Sequence, residues 1–498
     1  MLSKSKYCAF VQCPRNLWLK TYKPELATPN ASLDARMESG NEIGDLAMQL
    51  FGDFVEVTSH KDDGRIDLSE MISRTNELIL ERCPVICEAS FSYNGNYCAV
   101  DILKRENGGY AIYEVKSSTH ASQIYAVDIA YQKYVLENCG INVTGTYLVC
   151  INSDYVFDGT LKLNEFFQII DLSAEVSEEY EYVEGNVLAA NDIMDDPVEP
   201  LYGLSESCNV PYPCAFWEYC SAHLPSPSVF DLYRFGFKKE IEYYKKGIVS
   251  YEDLEHDPVM KNHIRSLQVS HELHDLGTYI DKKGIKKFLN TLSFPLYFLD
   301  FETMQPIIPE FVGTKPYAQI PFQYSLHYLE SPNGELKHKE FLGVSGEDPR
   351  RAIAEQLCAD IPKNVCVLAY NKGFECGRIR ELASYFPDLA DHLLNIEKNI
   401  KDLIDPFRAG HYYNRAMGGS FSIKSVLPAI SPDDPSLDYH NLEGVHNGSE
   451  AMDLFPKIKD LPVDEQATAR QNLLKYCELD TYAMVKVWEE LVRVLERY

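Results

Sequence analysis

The chain has 498 residues, 45% hydrophobic and 24% charged, with 47 Lys and Arg against 75 Asp and Glu for a net charge of −28. That length predicts two to four domains with real cores, and the acidic balance argues against loose adhesion to polyanions while leaving room for a narrow basic groove and bound cations that act locally. Fourteen cysteines in so long a chain are no secreted disulfide framework, and the polar start Met1–Tyr7 and the lack of any run of about 18 apolar residues predict a cytoplasmic protein with no membrane partner.

Taken in order, residues 1–50 read as helical, with Asp34 capping a helix that runs to Phe51. Two strands follow over 85–103 and 110–117, and Asn107-Gly108 between them is a hairpin turn. The first carries Asp101. The second carries Glu114 and Lys116, which project from one face because strand side chains alternate. Two carboxylates on paired strands can hold a hard divalent cation through oxygen, and a lysine beside them can face a scissile phosphate or position water. Ser122 to Asn138 is a helical pattern that stops at Gly140, with Asp128 and Gln132 one above the other on one face. Thr146 to Ile151 is a further strand, and 174–206 is acidic and helix- or loop-like.

Cys208, Cys214 and Cys220 follow, with five residues between each and the next, and Cys13 stands far upstream in Cys13-Pro14-Arg15. Four thiolates can hold an iron–sulfur cluster or a structural zinc, but zinc sites usually pair ligands two to four residues apart. Pro225 to Ser228 is a linker signal, and 229–292 is helical, its early aromatics Tyr233, Phe235, Phe237, Tyr243 and Tyr244 reading as packing.

A second α/β pattern opens at Phe294. Its first strand ends in Asp300 and Glu302, again on one face. Strands over 323–329 and 340–344 flank an Asn333-Gly334 turn, and 364–370 is a fourth strand leading into Asn371, Phe374, Glu375 and a helix through Tyr385. A last helix, about 465–496, sets Tyr476 and Asp480 four apart on one face. Acids from three elements can converge on a pair of cations, with the tyrosine orienting water. Asp405 reads as a helix-end acid.

Cys13-Pro14-Arg15, Asp101, Glu114-x-Lys116 and the three later cysteines resemble the RecB-family nucleases with an iron–sulfur cluster, among them the CRISPR-associated exonucleases of spacer acquisition. The likeness covers about residues 5–222. It implies a PD-(D/E)xK restriction-endonuclease-like domain over 1–224. Within it, Cys13, Cys208, Cys214 and Cys220 hold a 4Fe–4S cluster, with Cys8 as a substitute, and the cluster staples the two ends of the domain together. Asp101, Glu114, Lys116 and Gln132 are the implied catalytic set. Many relatives place a histidine ligand near Gly44, and Glu42 stands in for it here.

Asp300-x-Glu302, Asn371-x-x-Phe374-Glu375 and Tyr476-x-x-x-Asp480 resemble the three motifs of Tyr-containing DEDD exonucleases, with Glu375 where that family has aspartate. The likeness covers about 294–497 and implies an RNase H-like domain over 293–498, joined through a helical segment at 225–292. Metal ligands would be Asp300, Glu302, Glu375 and Asp480, with Tyr476 catalytic. Chains pairing these two domains resemble a bacterial group without a settled function. The expectation is a magnesium- or manganese-dependent nuclease acting on DNA rather than RNA, trimming 3′ ends at the second site. Its competitors are a nucleic-acid-binding protein with decayed sites, and an RNA exonuclease with a structural N-terminal half.

Overall fold

A computed structural model describes residues 1–29 and 31–496, leaving out the side chains of 31–39. The chain is mixed α/β, and among the described residues no helix is long and apolar enough to cross a membrane. It divides into two compact units, one comprising Met1–His223 with Ile307–Tyr317, the other Leu224–Pro306 with Ala318–Tyr498. The helical stretch read as a linker therefore groups with the second unit.

In the first unit, seven strands form one sheet: β1 (Leu2–Ser3), β2 (Val55–Glu56), β3 (Val85–Tyr93), β4 (Asn96–Glu106), β5 (Gly109–Lys116), β6 (Val143–Ile151) and β7 (Phe167–Asp171). Their order is β2-β3-β4-β5-β6-β7, and β1 pairs parallel with β4. Both hairpins of the β3–β5 meander turn on two residues with positive φ, Asn94 and Gly95 (46° and 79°) and Asn107 and Gly108 (52° and 80°). Such primed turns match the right-handed twist of the strands, and Asn-Gly adopts them at little cost. The helix α5 (Gln123–Asn138) then carries the chain back so that β6 lies parallel to β5.

Side chains of β5 alternate between two cores. Tyr110 and Ile112 join Phe91, Val100, Leu148 and the helical Tyr7, Leu17, Ile129 and Val183. Ala111 and Tyr113 join Ile43, Ala47, Val149 and Phe166, and Ile307, Ile308 and Tyr317 pack against that second core. With both faces covered, the central strands read as nearly continuous apolar runs. The helix read as capped by Asp34 begins at Ala31 and ends at Met48; the Asp34 side chain lies outside the described residues.

In the second unit, β8 (Tyr279–Ile280) pairs only with β14 (Tyr412–Tyr413). The main sheet holds β9 (Leu296–Met304), β10 (Ile320–Leu329), β11 (Lys337–Leu342), β12 (Cys366–Ala369) and β13 (Ile400–Asp402), in the order β11-β10-β9-β12-β13. The first three strands run antiparallel, and β12 and β13 are parallel to β9. Leu299, Phe301, Tyr324 and Leu326 face the helices Arg350–Asp360, Gly373–Tyr385 and Ala390–Lys398. The C-terminal helix Val463–Glu496 covers the opposite face, burying Leu473, Cys477, Met484 and Leu491.

Candidate functional site

Two clusters of buried acids stand out, one in each unit. In the first, the β4–β5 register pairs Ile102 with Tyr113, which sets Asp101 beside Glu114. Lys116 Nζ lies 2.5 Å from Glu114 Oε1 and 3.1 Å from Asp128 Oδ2. From α5, Gln132 donates to Glu114 Oε2 at 2.7 Å and Asp128 Oδ1 at 3.1 Å. The four predicted catalytic residues Asp101, Glu114, Lys116 and Gln132 are thus brought together.

Two neighbours, Lys4 and Glu88, had no signal in the spacing, whereas Asp128 shares a helix face with Gln132 as its spacing predicts. Lys4 reaches Glu114 at 2.9 Å and Asp101 at 3.6 Å, because β1, at the very start of the chain, adds to β4 and aims the next residue into the cluster. Asp128 completes the acid set. Glu88, on β3 with a φ of 57°, sits near Asp101. Glu42 is exposed on its helix and, among the described residues, makes no hydrogen bond or ion pair with this cluster. Its side chain offers nothing there as placed.

The electrostatics follow from burial and ammonium placement. Burial works to raise Glu114, yet the Lys116 and Lys4 ammoniums hold its carboxyl far below the usual range. Asp101 is pushed up to about 6 by burial and the Glu114 charge. Glu88 is pushed up to about 7 by burial and Asp101. The amide oxygen of Gln132 is buried with no hydrogen-bond partner, a free acceptor beside the carboxylates. A cleft of about 320 Å³ opens in front of the cluster, lined by Lys4, Lys20, Lys116 and Tyr125.

Cys13, Cys208, Cys214 and Cys220 line one small enclosure with Arg15, Leu19 and Phe216. Cys13 ends one helix and precedes Pro14, which starts the next. Gln12 Nε2 ties this corner to the cysteine loop through the Ser207 and Tyr212 carbonyls at 2.9 and 2.8 Å. The Cys214 N–H donates to the Cys208 carbonyl at 2.8 Å. Burial pushes the Cys220 thiol up to about 11. Two groups of three metal-type ligand atoms lie within 4.8 Å of one another among the described residues, and neither includes these four thiols. Cys8 lines the cleft beside Lys4 and Lys116 instead of the cysteine enclosure.

In the second unit, Asp300 and Glu302 leave the same face of β9 beneath the C-terminal helix. Asp300, Glu302 and Cys477 form one of those close groups. Burial and the Asp480 charge hold both Asp300 and Glu302 well above the carboxylate range, with Glu375 adding to the effect. Burial pushes Asp480 to about 6 and Glu375 to about 8. Glu375 Oε2 is buried without a hydrogen-bond partner. The predicted acids are therefore gathered, and Tyr476 bonds Asp480 from one turn away.

Further members came from outside the motifs. Tyr439 donates to Asp480 at 2.6 Å. Lys424 lies over the rings of Tyr439 and Tyr476 at 4.8 and 5.4 Å and is the cation that opposes the rise of Asp300, Glu302 and Asp480. Asp405 is an exposed helix-start residue.

Residues 297–422 match a domain of unknown function, DUF2779. An uncharacterized protein of Ureaplasma parvum serovar 3 is 27% identical over 237 residues, 42% of this chain. The match spans about a third of that relative's own length, 32%.

Proposed function

We propose that the chain is a metal-dependent nuclease acting on DNA, with a PD-(D/E)xK-like site in the first unit and a DEDD-type, RNase H-like exonuclease site in the second. The observation that carries this reading is the gathering of Asp300, Glu302 and Asp480 beside one lysine, Lys424, with Glu375 near enough to add its charge to Asp300 and Glu302. Three carboxylates this close, with one ammonium beside them and a fourth acid near by, repel one another strongly unless a cation joins them. Antiparallel β11-β10-β9 continued by parallel β12 and β13 is the sheet expected of an RNase H-like domain. The unpartnered oxygens of Glu375 and Gln132 fit an oxygen-ligated ion in each unit.

A magnesium or manganese ion, when bound, would offset charge at the phosphate and ease ionisation of water. The side chains do the rest. Tyr476, held by Asp480, orients water for in-line attack on phosphorus. In the first unit Lys116 faces the phosphate, and Gln132 and Asp128 keep its ammonium aimed at Glu114. The four thiols line one small enclosure, and a 4Fe–4S cluster takes four cysteine ligands.

With 5′-labelled DNA and RNA strands and manganese, Asp300→Ala is expected to abolish 3′ trimming, and Glu114→Ala to remove a different product. Unchanged cleavage in both variants would overturn the assignment. A second reading, a binding protein with decayed sites, is favoured by Lys4, whose ammonium bridges Glu114 and Asp101. It predicts binding to strands with no cleavage in either metal.

A further inference from the structure

Within the second unit, a groove of about 610 Å³ is lined by Tyr233, Arg234, Asn371, Arg408, Gly419 and Phe421, among others. We propose that this groove is the track along which a single-stranded polynucleotide reaches the Asp300–Asp480 cluster, an inference that rests on the nuclease reading of that cluster.

Two of its walls are continuous in sequence with members of the cluster. Asn371 lies four residues before Glu375, just ahead of the helix Gly373–Tyr385 that carries that acid. Phe421 lies three residues before Lys424, the lysine beside Asp300, Glu302 and Asp480. A strand lying in the groove is therefore led to the cluster by two separate stretches of chain.

The charge of the lining suits phosphodiesters. In a chain of net charge −28, Arg234 is exposed, lies 5.4 Å over the Tyr233 ring and, among the described residues, meets no carboxylate. Arg408 donates to Asn371 Oδ1 at 2.9 Å, leaving Asp402 at 3.8 Å as its nearest carboxylate. That carboxylate already accepts the Asn371 N–H at 2.8 Å. The acid of the lining, Asp231, is spent on a helix cap, taking the Ser228 N–H at 2.7 Å and hydroxyl at 3.1 Å. Two arginines thus face the groove with little local opposition, and arginine suits phosphate geometrically.

The aromatic wall supplies the second element of single-strand recognition. Tyr233 is half-buried and packs on Phe421 with centroids 5.0 Å apart, leaving a ring braced from behind on which an unpaired base can stack. Buried Gln268 fixes the width. It accepts the Tyr233 N–H at 2.9 Å and donates to the Asp231 carbonyl at 2.7 Å. The opposite wall touches the same side chain: a Cβ on Gly419, whose φ is +76°, would fall 2.2 Å from Gln268 Nε2. The Tyr370 hydroxyl anchors the Phe421 carbonyl at 2.7 Å. Both walls are pinned, so the groove is preformed.

The test is fluorescence anisotropy of the full-length protein with labelled twelve-nucleotide DNA and RNA strands, in EDTA so that binding is read without cleavage. Arg234→Ala is expected to weaken binding of the preferred strand about five- to tenfold at moderate salt and to reduce the salt slope by about 0.7, the value for one phosphate contact on a single strand. Tyr233→Leu should weaken binding without changing that slope. Strands carrying 5-bromouracil should photocross-link to peptides around Tyr233 or Phe421. Affinity and slope unchanged by Arg234→Ala, or cross-links confined to other peptides, would overturn the groove. Asp300→Ala tells the two failures apart: it should bind strands normally yet not cleave. If it still trims 3′ ends, the nuclease reading of the cluster falls while the groove stands on its binding data.

Discussion

Glu375 is a buried carboxyl with one oxygen unpartnered, and burial raises it from 4.5 to about 8. Between those values the folded chain keeps a proton that the unfolded chain has released, so stability falls as pH rises through that window. Metal-free protein should therefore lose urea resistance between about pH 5 and pH 8, and Glu375→Gln should flatten the loss. Unfolding curves in EDTA at several pH values would show it. Lys4 poses the opposite problem, an ammonium that neutralises a fully buried Glu114. Stripping a partner from a buried charge typically costs about 3–5 kcal/mol. Because Lys116 remains, Lys4→Met should cost about 2 kcal/mol in EDTA, measured by urea unfolding, and manganese should recover part of it. Asp101, Glu114 and Lys116 were legible because their relation is local, two strands and one tight turn. Lys4 was not, since only the pairing of Leu2 with Asn96 brings it there. Lys424 was missed for a similar reason: its position depends on how the helix Ile423–Ile430 meets the C-terminal helix, far away in sequence.

The elements that announced themselves were those with short-range signals. Asn107-Gly108 fixed its hairpin, Gly140 with φ 83° followed the end of α5, and the helix through Tyr385 ended where expected. Strands set by long-range pairing moved: β10 begins at Ile320 and β11 spans Lys337–Leu342, against the expected starts at 323 and 340. The register of β10 is set by pairing with β9 and that of β11 by pairing with β10, and no turn residue in the sequence reveals where that pairing starts. The cysteine segment holds only two short helical turns, Glu206–Cys208 and Trp217–Ser221, and depends on a few ties such as Gln12. A bound metal centre contributes on the order of 10 kcal/mol, judged from zinc, comparable to a domain's whole net stability of about 5–15 kcal/mol. Protein purified without oxygen should be brown with about four irons per chain. Cys214→Ala should lose the colour and unfold the first unit, as read by iron assay and circular dichroism. A colourless, fully stable Cys214→Ala protein would exclude the staple.

At the scale of the whole chain, acidity and arginine placement work together. With 75 acids against 47 bases, most of the surface repels a polyanion, and the few cationic tracts become the places where one can settle. The mixed α/β character and the existence of two units were readable from the two successive α/β patterns. The break expected after residue 224 falls after His223, but the return of 307–317 to the first unit was not readable. Ile307–Tyr317 sits between β9 and β10 in sequence, yet it belongs to the first unit: the Phe157 N–H donates to the Thr314 carbonyl at 3.0 Å, the Gly313 N–H to the Phe157 carbonyl at 2.8 Å, and the Tyr317 hydroxyl bonds the Ser117 carbonyl. Ser117 immediately follows Lys116, so a segment borrowed from the other half of the sequence buttresses the end of the strand that bears the first unit's acid and lysine. A gene cut anywhere between the two sheets would leave that buttress on the wrong fragment. The two halves are thus bound to a shared inheritance, and shuffling either one into another protein as a continuous module would leave the first without its brace.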